Sequence, residues 1–174
     1  MFKMIDKLSQ VKGCTVYATR DGVADQFPAT IDANVQLPQI SHPTSTIQSA
    51  GDMEIPDQTR INNMTTTISC EAGVIQSKLM GFGVQKYILR WAQEVKKPDN
   101  TIDVIPFVAY ISGIPAQDVS PAVNVGENTT SDMVINTFTY RLLQDGEEIR
   151  YIDKSAGIIR INGIDYREKL NSML

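Results

Sequence analysis

Tyr140-Arg141-Leu142-Leu143-Gln144-Asp145-Gly146-Glu147-Glu148-Ile149-Arg150-Tyr151-Ile152-Asp153 decides the fold class. Met133 to Leu143 alternates apolar and polar residues, the period of a half-buried strand. Asp145-Gly146 then supplies two residues that tolerate positive φ, as a tight two-residue hairpin requires. Glu148 to Asp153 forms the return strand, and Ile158 to Ile161 a further one that ends in the turn Asn162-Gly163. Hairpins imply antiparallel pairing. Asp165, followed three residues later by Glu168, reads as a capping box opening a short C-terminal helix with Leu170 and Leu174 on its apolar face.

The same period runs upstream. Gly13 to Thr19 sets Cys14, Val16 and Ala18 against Thr15, Tyr17 and Thr19, and Arg20-Asp21-Gly22 makes a turn. Residues 30–38 set Ile31, Ala33, Val35 and Leu37 against Asp32, Asn34 and Gln36. Residues 61–70 turn Met64, Thr66, Ile68 and Cys70 inward, and Asn63, Thr65, Thr67 and Ser69 outward. Residues 86–95 alternate around Tyr87, Leu89 and Trp91 before the turn Lys97-Pro98-Asp99-Asn100. Ile102 to Ile111 is apolar on both faces, which predicts a strand buried on two sides. Trp91 and Phe107, on strands joined by that turn, are expected in the core. The period becomes helical only at Val74, Ile75, Lys78, Leu79 and Phe82, with Gly81 and Gly83 at the helix end.

Two stretches fit neither period. Residues 112–131 read as a polar connection. Residues 39–59 form a long polar segment that nevertheless carries Ile47, Met53 and Ile55, which a purely solvated loop does not need. The expectation is a mainly β fold with about seven strands: a two-sheet antiparallel β-sandwich or barrel with a flanking α-helix and a short C-terminal helix. It forms one domain over residues 1–174, with an extended arm or loop at about 39–59.

Composition narrows the function. With 42% hydrophobic and 21% charged residues the chain is globular. Its net charge of −4 argues against a protein that grips nucleic acid by its phosphates. The longest apolar run, Val104 to Ile111, is far short of the about 20 residues of a membrane helix. Met1 to Lys7 contains no secretory core, so synthesis in the cytoplasm and reduced Cys14 and Cys70 are expected. His42 is the single histidine and sits in a proline-bounded polar stretch. A two-histidine metal motif is therefore excluded within one chain, and a cysteine-rich zinc site cannot be built from two thiols. No catalytic, cofactor or metal residues are assigned, and the expectation is a protein that is not an enzyme.

The C-terminal third also resembles a known family. The run Tyr140 to Ile149, then Tyr151-Ile152-Asp153, then Gly157-Ile158-Ile159-Arg160-Ile161-Asn162-Gly163-Ile164-Asp165, is similar to the close of the major tail tube proteins of contractile phage tails and R-type bacteriocins. Thr19-Arg20-Asp21-Gly22 resembles that family's first hairpin, Val35-Gln36-Leu37-Pro38 its Thr-Leu-Pro step, and Gly51 to Pro56 falls where members carry a Gly-rich arm. The likeness is specific over the last 35 residues and looser before them.

That resemblance implies a β-sandwich whose copies form six-membered rings, stacked into a hollow tube. Sheath contraction drives the tube through a target envelope, and it conducts DNA in a phage or ions in a bacteriocin. Implied partners are further copies of itself, the sheath, baseplate or initiator and terminator proteins, and a tape-measure protein in the lumen; DNA passes without specific binding. Assembly is expected in the bacterial host cytoplasm, and the product is a virion tail or a released particle. Within that scheme Ile47, Met53 and Ile55 are candidates for contact between rings. Asn63, Thr65, Thr67 and Ser69, then Asp32, Asn34 and Gln36, are candidates for a neutral-to-negative lumen wall. The alternatives are a monomeric ligand-binding β-barrel, which needs a closed cavity, and a cell-wall hydrolase, which needs an acid pair in a cleft.

Overall fold

The computed structural model describes residues 7–20, 23–24, 33–71, 81–117, 120 and 124–174. Twelve strands and one helical turn are found among them: β1 (Lys7–Arg20), β2 (Val23–Ala24), β3 (Asn34–Gln36), β4 (Thr44–Gln48), β5 (Asp52–Pro56), β6 (Met64–Glu71), β7 (Gln85–Lys96), β8 (Ile102–Gln117), β9 (Thr130–Gln144), β10 (Glu147–Asp153), β11 (Ile158–Ile161), β12 (Ile164–Asp165) and α1 (Glu168–Asn171). The fold is mainly β and antiparallel throughout, as the hairpin signals predict. Asp145 and Gly146 both have positive φ, 49° and 79°, and so do Asn162 and Gly163, 50° and 81°. Each pair closes the two-residue turn that the sequence announces.

The main ladder runs β12-β11-β10-β9-β8-β7-β1-β2. β9 is long enough to serve two neighbours along one edge. Its Thr130–Thr137 half pairs with β6, and its Thr139–Gln144 half pairs with β10. Between them Phe138 is an extra residue: on β8, Ser112 faces Thr139 and the adjacent Gly113 faces Thr137. Such a bulge bends a strand and increases its twist. Here burial changes phase, from Ser131, Met133, Ile135 and Thr137 before the bulge to Tyr140 after it. The Phe138 carbonyl, freed from the ladder, accepts a hydrogen bond from the Lys154 N–H at 3.0 Å.

The bend lays the β3–β6 branch over β1 and β7 as a sandwich. Its two layers come from one continuous ladder rather than from two separate sheets. Val16, Ala18, Ala33, Ile68, Tyr87, Leu89, Ala109, Ile111, Met133, Ile135 and Tyr140 form the common core. Fully burying each Val, Ile, Leu or Met of this set stabilises by roughly 1.5–3 kcal/mol. Trp91 stacks on its register partner Phe107, ring centroids 5.4 Å apart and planes 9° off parallel. Phe107 is buried and Trp91 packs against the core, where alternation puts both.

Other expectations need correction. Residues 39–59 are not a plain loop: they contain the β4–β5 hairpin, a separate two-stranded sheet. β8 is not buried on both faces. Phe107, Ala109 and Ile111 face the core, while Ile102 and Val104, on its outer face, are 68% and 53% exposed. β8 also extends to Gln117, taking residues 112–117 from the polar connection read there. The capping box does not form. Asp165 Oδ1 instead accepts the Arg167 N–H, the helix begins at Glu168 without a side-chain cap, and Leu170 and Leu174 are exposed. Of the mid-chain helix, residues 74–80 lie outside the described residues, and Phe82 sits in a bend, exposed. Ile31, Asp32, the turn residues Asp21 and Gly22, and the Cys70 side chain also lie outside the described residues.

Candidate functional site

The β4–β5 hairpin stands away from the sandwich. All ten of its strand residues are exposed. Its root is strapped by backbone bonds from Asp57 N–H to the Pro43 carbonyl and from Asn62 N–H to the Ser41 carbonyl. His42 Nδ1 meets the Arg60 carbonyl at 2.7 Å across the same root, so this nitrogen carries the proton. Asp57 accepts both the N–H and the hydroxyl of Thr59, and these bonds hold its carboxyl below the usual range.

Register sorts the hairpin into two rows, because paired residues share a face. Ile47 pairs with Met53 and Ser45 with Ile55, so Ser45, Ile47, Met53 and Ile55 form one uncharged, largely apolar row. Thr46, Gln48, Asp52 and Glu54 lie on the other face. Ile47, Met53 and Ile55 are 47%, 53% and 39% exposed, and none belongs to the buried core found among the described residues. The three residues singled out in the sequence thus converge on one unpartnered face.

The outer face of the β3–β6–β9 layer gathers the second set. Asn34 pairs with Ser69 and Ser69 with Asp132; Gln36 pairs with Thr67 and Thr67 with Val134; Thr65 pairs with Asn136. Five of the seven residues proposed from sequence stand together here. Asn63 precedes β6 and is exposed, and Asp32 lies outside the described residues. Asp132 and Asn136 complete the surface. Alternation from Met133 points both outward, but only the β6–β9 register places them beside Thr65 and Ser69. The patch carries hydroxyls, amides, one carboxylate and the half-buried Val134 between Asp132 and Asn136, with no Lys or Arg among these residues.

The opposite outer face differs in chemistry. One cross-strand row runs Tyr17, Ile88, Tyr110, Arg141, Tyr151, Arg160. Arg90 lies 5.4 Å from the centre of the Tyr17 ring. Arg141 and Arg160 flank the Tyr151 ring at 5.9 and 5.3 Å, and Glu148 bridges the same two guanidinium groups at 2.8 and 3.2 Å. Tyr and Arg on an exposed face are the residue types enriched where proteins meet proteins.

Among the described residues the ladders do not close into a barrel, and β3 and β1 are joined by the backbone bond from the Ala33 N–H to the Cys14 carbonyl and by no ladder. The seam opens into a cleft of about 500 Å³, lined by Val11, Val35, Leu37, Trp91, Gln93 and Cys14 among others. Cys14 is free, and burial pushes its thiol up to about 11, so it is a poor nucleophile at neutral pH. Among the described residues no cluster of three or more His, Cys, Asp or Glu side chains could hold a metal, and no helix is long and apolar enough to cross a membrane.

A family model for phage tail tube protein FII matches residues 11–174, nearly the whole chain. No individual curated protein matches it.

Proposed function

The chain belongs to the phage tail tube protein FII family, a structural subunit of the virion tail that assembles with itself and with other tail proteins, and we propose how its surfaces build and use the tube. Six copies close a ring over residues 1–174 as one building unit, and rings stack into a hollow tube. The device is contractile: an outer sheath shortens and drives the tube through the target envelope. Initiator or baseplate and terminator proteins cap its ends, and a tape-measure protein occupies the lumen during assembly in the host cytoplasm. The tube then conducts DNA in a phage, or ions in a bacteriocin particle. No reaction is assigned to it.

The observation that carries this reading is the contrast between the two outer faces. A channel that lets DNA slide must offer phosphates no fixed cations, because neutralising phosphates with Lys and Arg is what makes DNA binding strong. The face with Asn34, Gln36, Thr65, Thr67, Ser69, Asp132 and Asn136 meets that condition, so it lines the lumen. The face with Arg90, Arg141, Arg160, Tyr110 and Tyr151 points away from the channel, toward the sheath. The β4–β5 hairpin reaches the next ring through Ile47, Met53 and Ile55. Closing the sheet through neighbours around the ring covers edges that are an aggregation liability in a lone subunit.

Negative-stain microscopy of the purified protein at high concentration tests the reading. Rings or hollow tubes are expected. Small featureless particles at every concentration would overturn it.

A further inference from the structure

The hairpin's apolar row and the open cleft have matching chemistry, and we propose that the β4–β5 hairpin of one copy seats Ile47, Met53 and Ile55 in the β1–β3 cleft of a second copy. This rests on the reading that the hairpin joins stacked rings, and adds where the hairpin lands. The cleft holds about 500 Å³ and is walled by Val11, Val35, Leu37 and Trp91, with Val11 itself 55% exposed. None of its lining residues carries a formal charge at neutral pH, and neither does the hairpin row of Ser45, Ile47, Met53 and Ile55. Asp52 and Glu54 lie on the hairpin's other face and stay in water. Docking in this orientation therefore removes apolar surface from solvent without burying an ion, the step that makes charged contacts costly.

Position supports a second copy as the occupant. The hairpin root is fixed just before β6, through Ser41 and Asn62, whereas the apolar wall on which the hairpin would seat is Val11 of β1 with Leu89 and Trp91 of β7; Asn34, Gln36, Thr67 and Ser69 form the polar margin of the cleft on the channel-facing side. Donor and acceptor are different surfaces, so the contact is heterologous and repeats from copy to copy instead of closing on a pair. The chain's family assembles with itself, so a second hairpin is at hand. Among the described residues the β3 and β1 edges along the seam are joined by the Ala33–Cys14 bond and by no ladder, which suits an incoming strand. A second exposed apolar strip, Ile102 and Val104, pairs with Lys96 and Glu94, so a hairpin seated there would lie beside charges.

A benzophenone side chain placed at Met53, irradiated in assembled tubes, tests the proposal once adducts are mapped by mass spectrometry. Adducts on residues 11–14, 33–37 or 89–93 of another copy are expected. Adducts on Ile102, Val104 or any other part of a second copy overturn the cleft assignment and leave the stacking role intact. Adducts confined to one copy, or none, overturn both. From the receiving side, Val11→Arg changes an exposed residue and keeps the subunit folded. It should raise the concentration needed for tubes at least about tenfold, the effect of losing about 1.4 kcal/mol per contact. Unchanged assembly of Val11→Arg overturns the proposal.

Discussion

The hydroxyls of Thr66 and Thr137 meet at 2.7 Å in the interior, joining β6 to β9 where both side chains are fully or almost fully buried. Thr137 also donates to the Ile135 carbonyl at 3.3 Å. The proton order is therefore Thr66 to Thr137 to Ile135. This makes the pair unequal. Thr137→Val leaves the Thr66 hydroxyl without an acceptor and should cost about 1–3 kcal/mol, the penalty of an orphaned buried donor. Thr66→Val leaves Thr137 still donating and should cost less. The double variant should be more stable than Thr137→Val alone. Urea unfolding of the three variants as subunits checks the order.

Gly113 sits opposite the Phe138 bulge, where a Cβ would run into the Asn136 carbonyl and the Ile135 side chain. The obstacle is backbone, which cannot swing aside. Gly113→Ala should therefore destabilise the subunit by about 1–3 kcal/mol or more, the usual cost of overpacking. Thermal unfolding should show a lowered midpoint. An unchanged midpoint would mean that β8 and β9 separate more readily than their ladder implies.

Trp91 is the single tryptophan and reports on its stack with Phe107. Phe107→Ala should cost about 3–5 kcal/mol as a large-to-small core change. It should also shift Trp91 emission toward that of a wetter environment. A variant that unfolds normally and only fails to assemble would move Phe107 to an interface between copies.

Deleting residues 45–54 removes most of the hairpin and keeps its root bonds from Asp57 to Pro43 and Asn62 to Ser41. Folded subunits or single rings are expected, with no tubes. Circular dichroism verifies the fold, and microscopy reads the assembly. Normal tubes from this deletion would contradict a stacking role for Ile47, Met53 and Ile55.

Period-two alternation made the strands legible, since burial acts on every second residue whichever strand lies alongside. It placed Met64, Thr66 and Ile68 inward and Thr65 and Thr67 outward, as observed. Alternation carries no information on pairing, so Asp132 and Asn136 could not be assigned to the same face as Ser69 and Thr65. The arm's apolar residues were visible, but Ser45, Ile47, Met53 and Ile55 join one row only once the 47–53 register is known. β8 misled because apolar composition was read as burial. Ile102 and Val104 have the residue types of a core strand and lie on its outer face. The C-terminal capping box misled because Asp165 turns to its own local N–H at Arg167 before the helix starts.

The most direct measurement is a cryo-electron microscopy reconstruction of tubes assembled from the purified protein. Six-fold rings around an open channel are expected, with Thr65, Thr67, Ser69 and Asn34 on the channel wall and the β4–β5 hairpin crossing to the next ring. A channel lined by Arg90, Arg141 and Arg160, or a hairpin that touches no neighbouring ring, would contradict that arrangement.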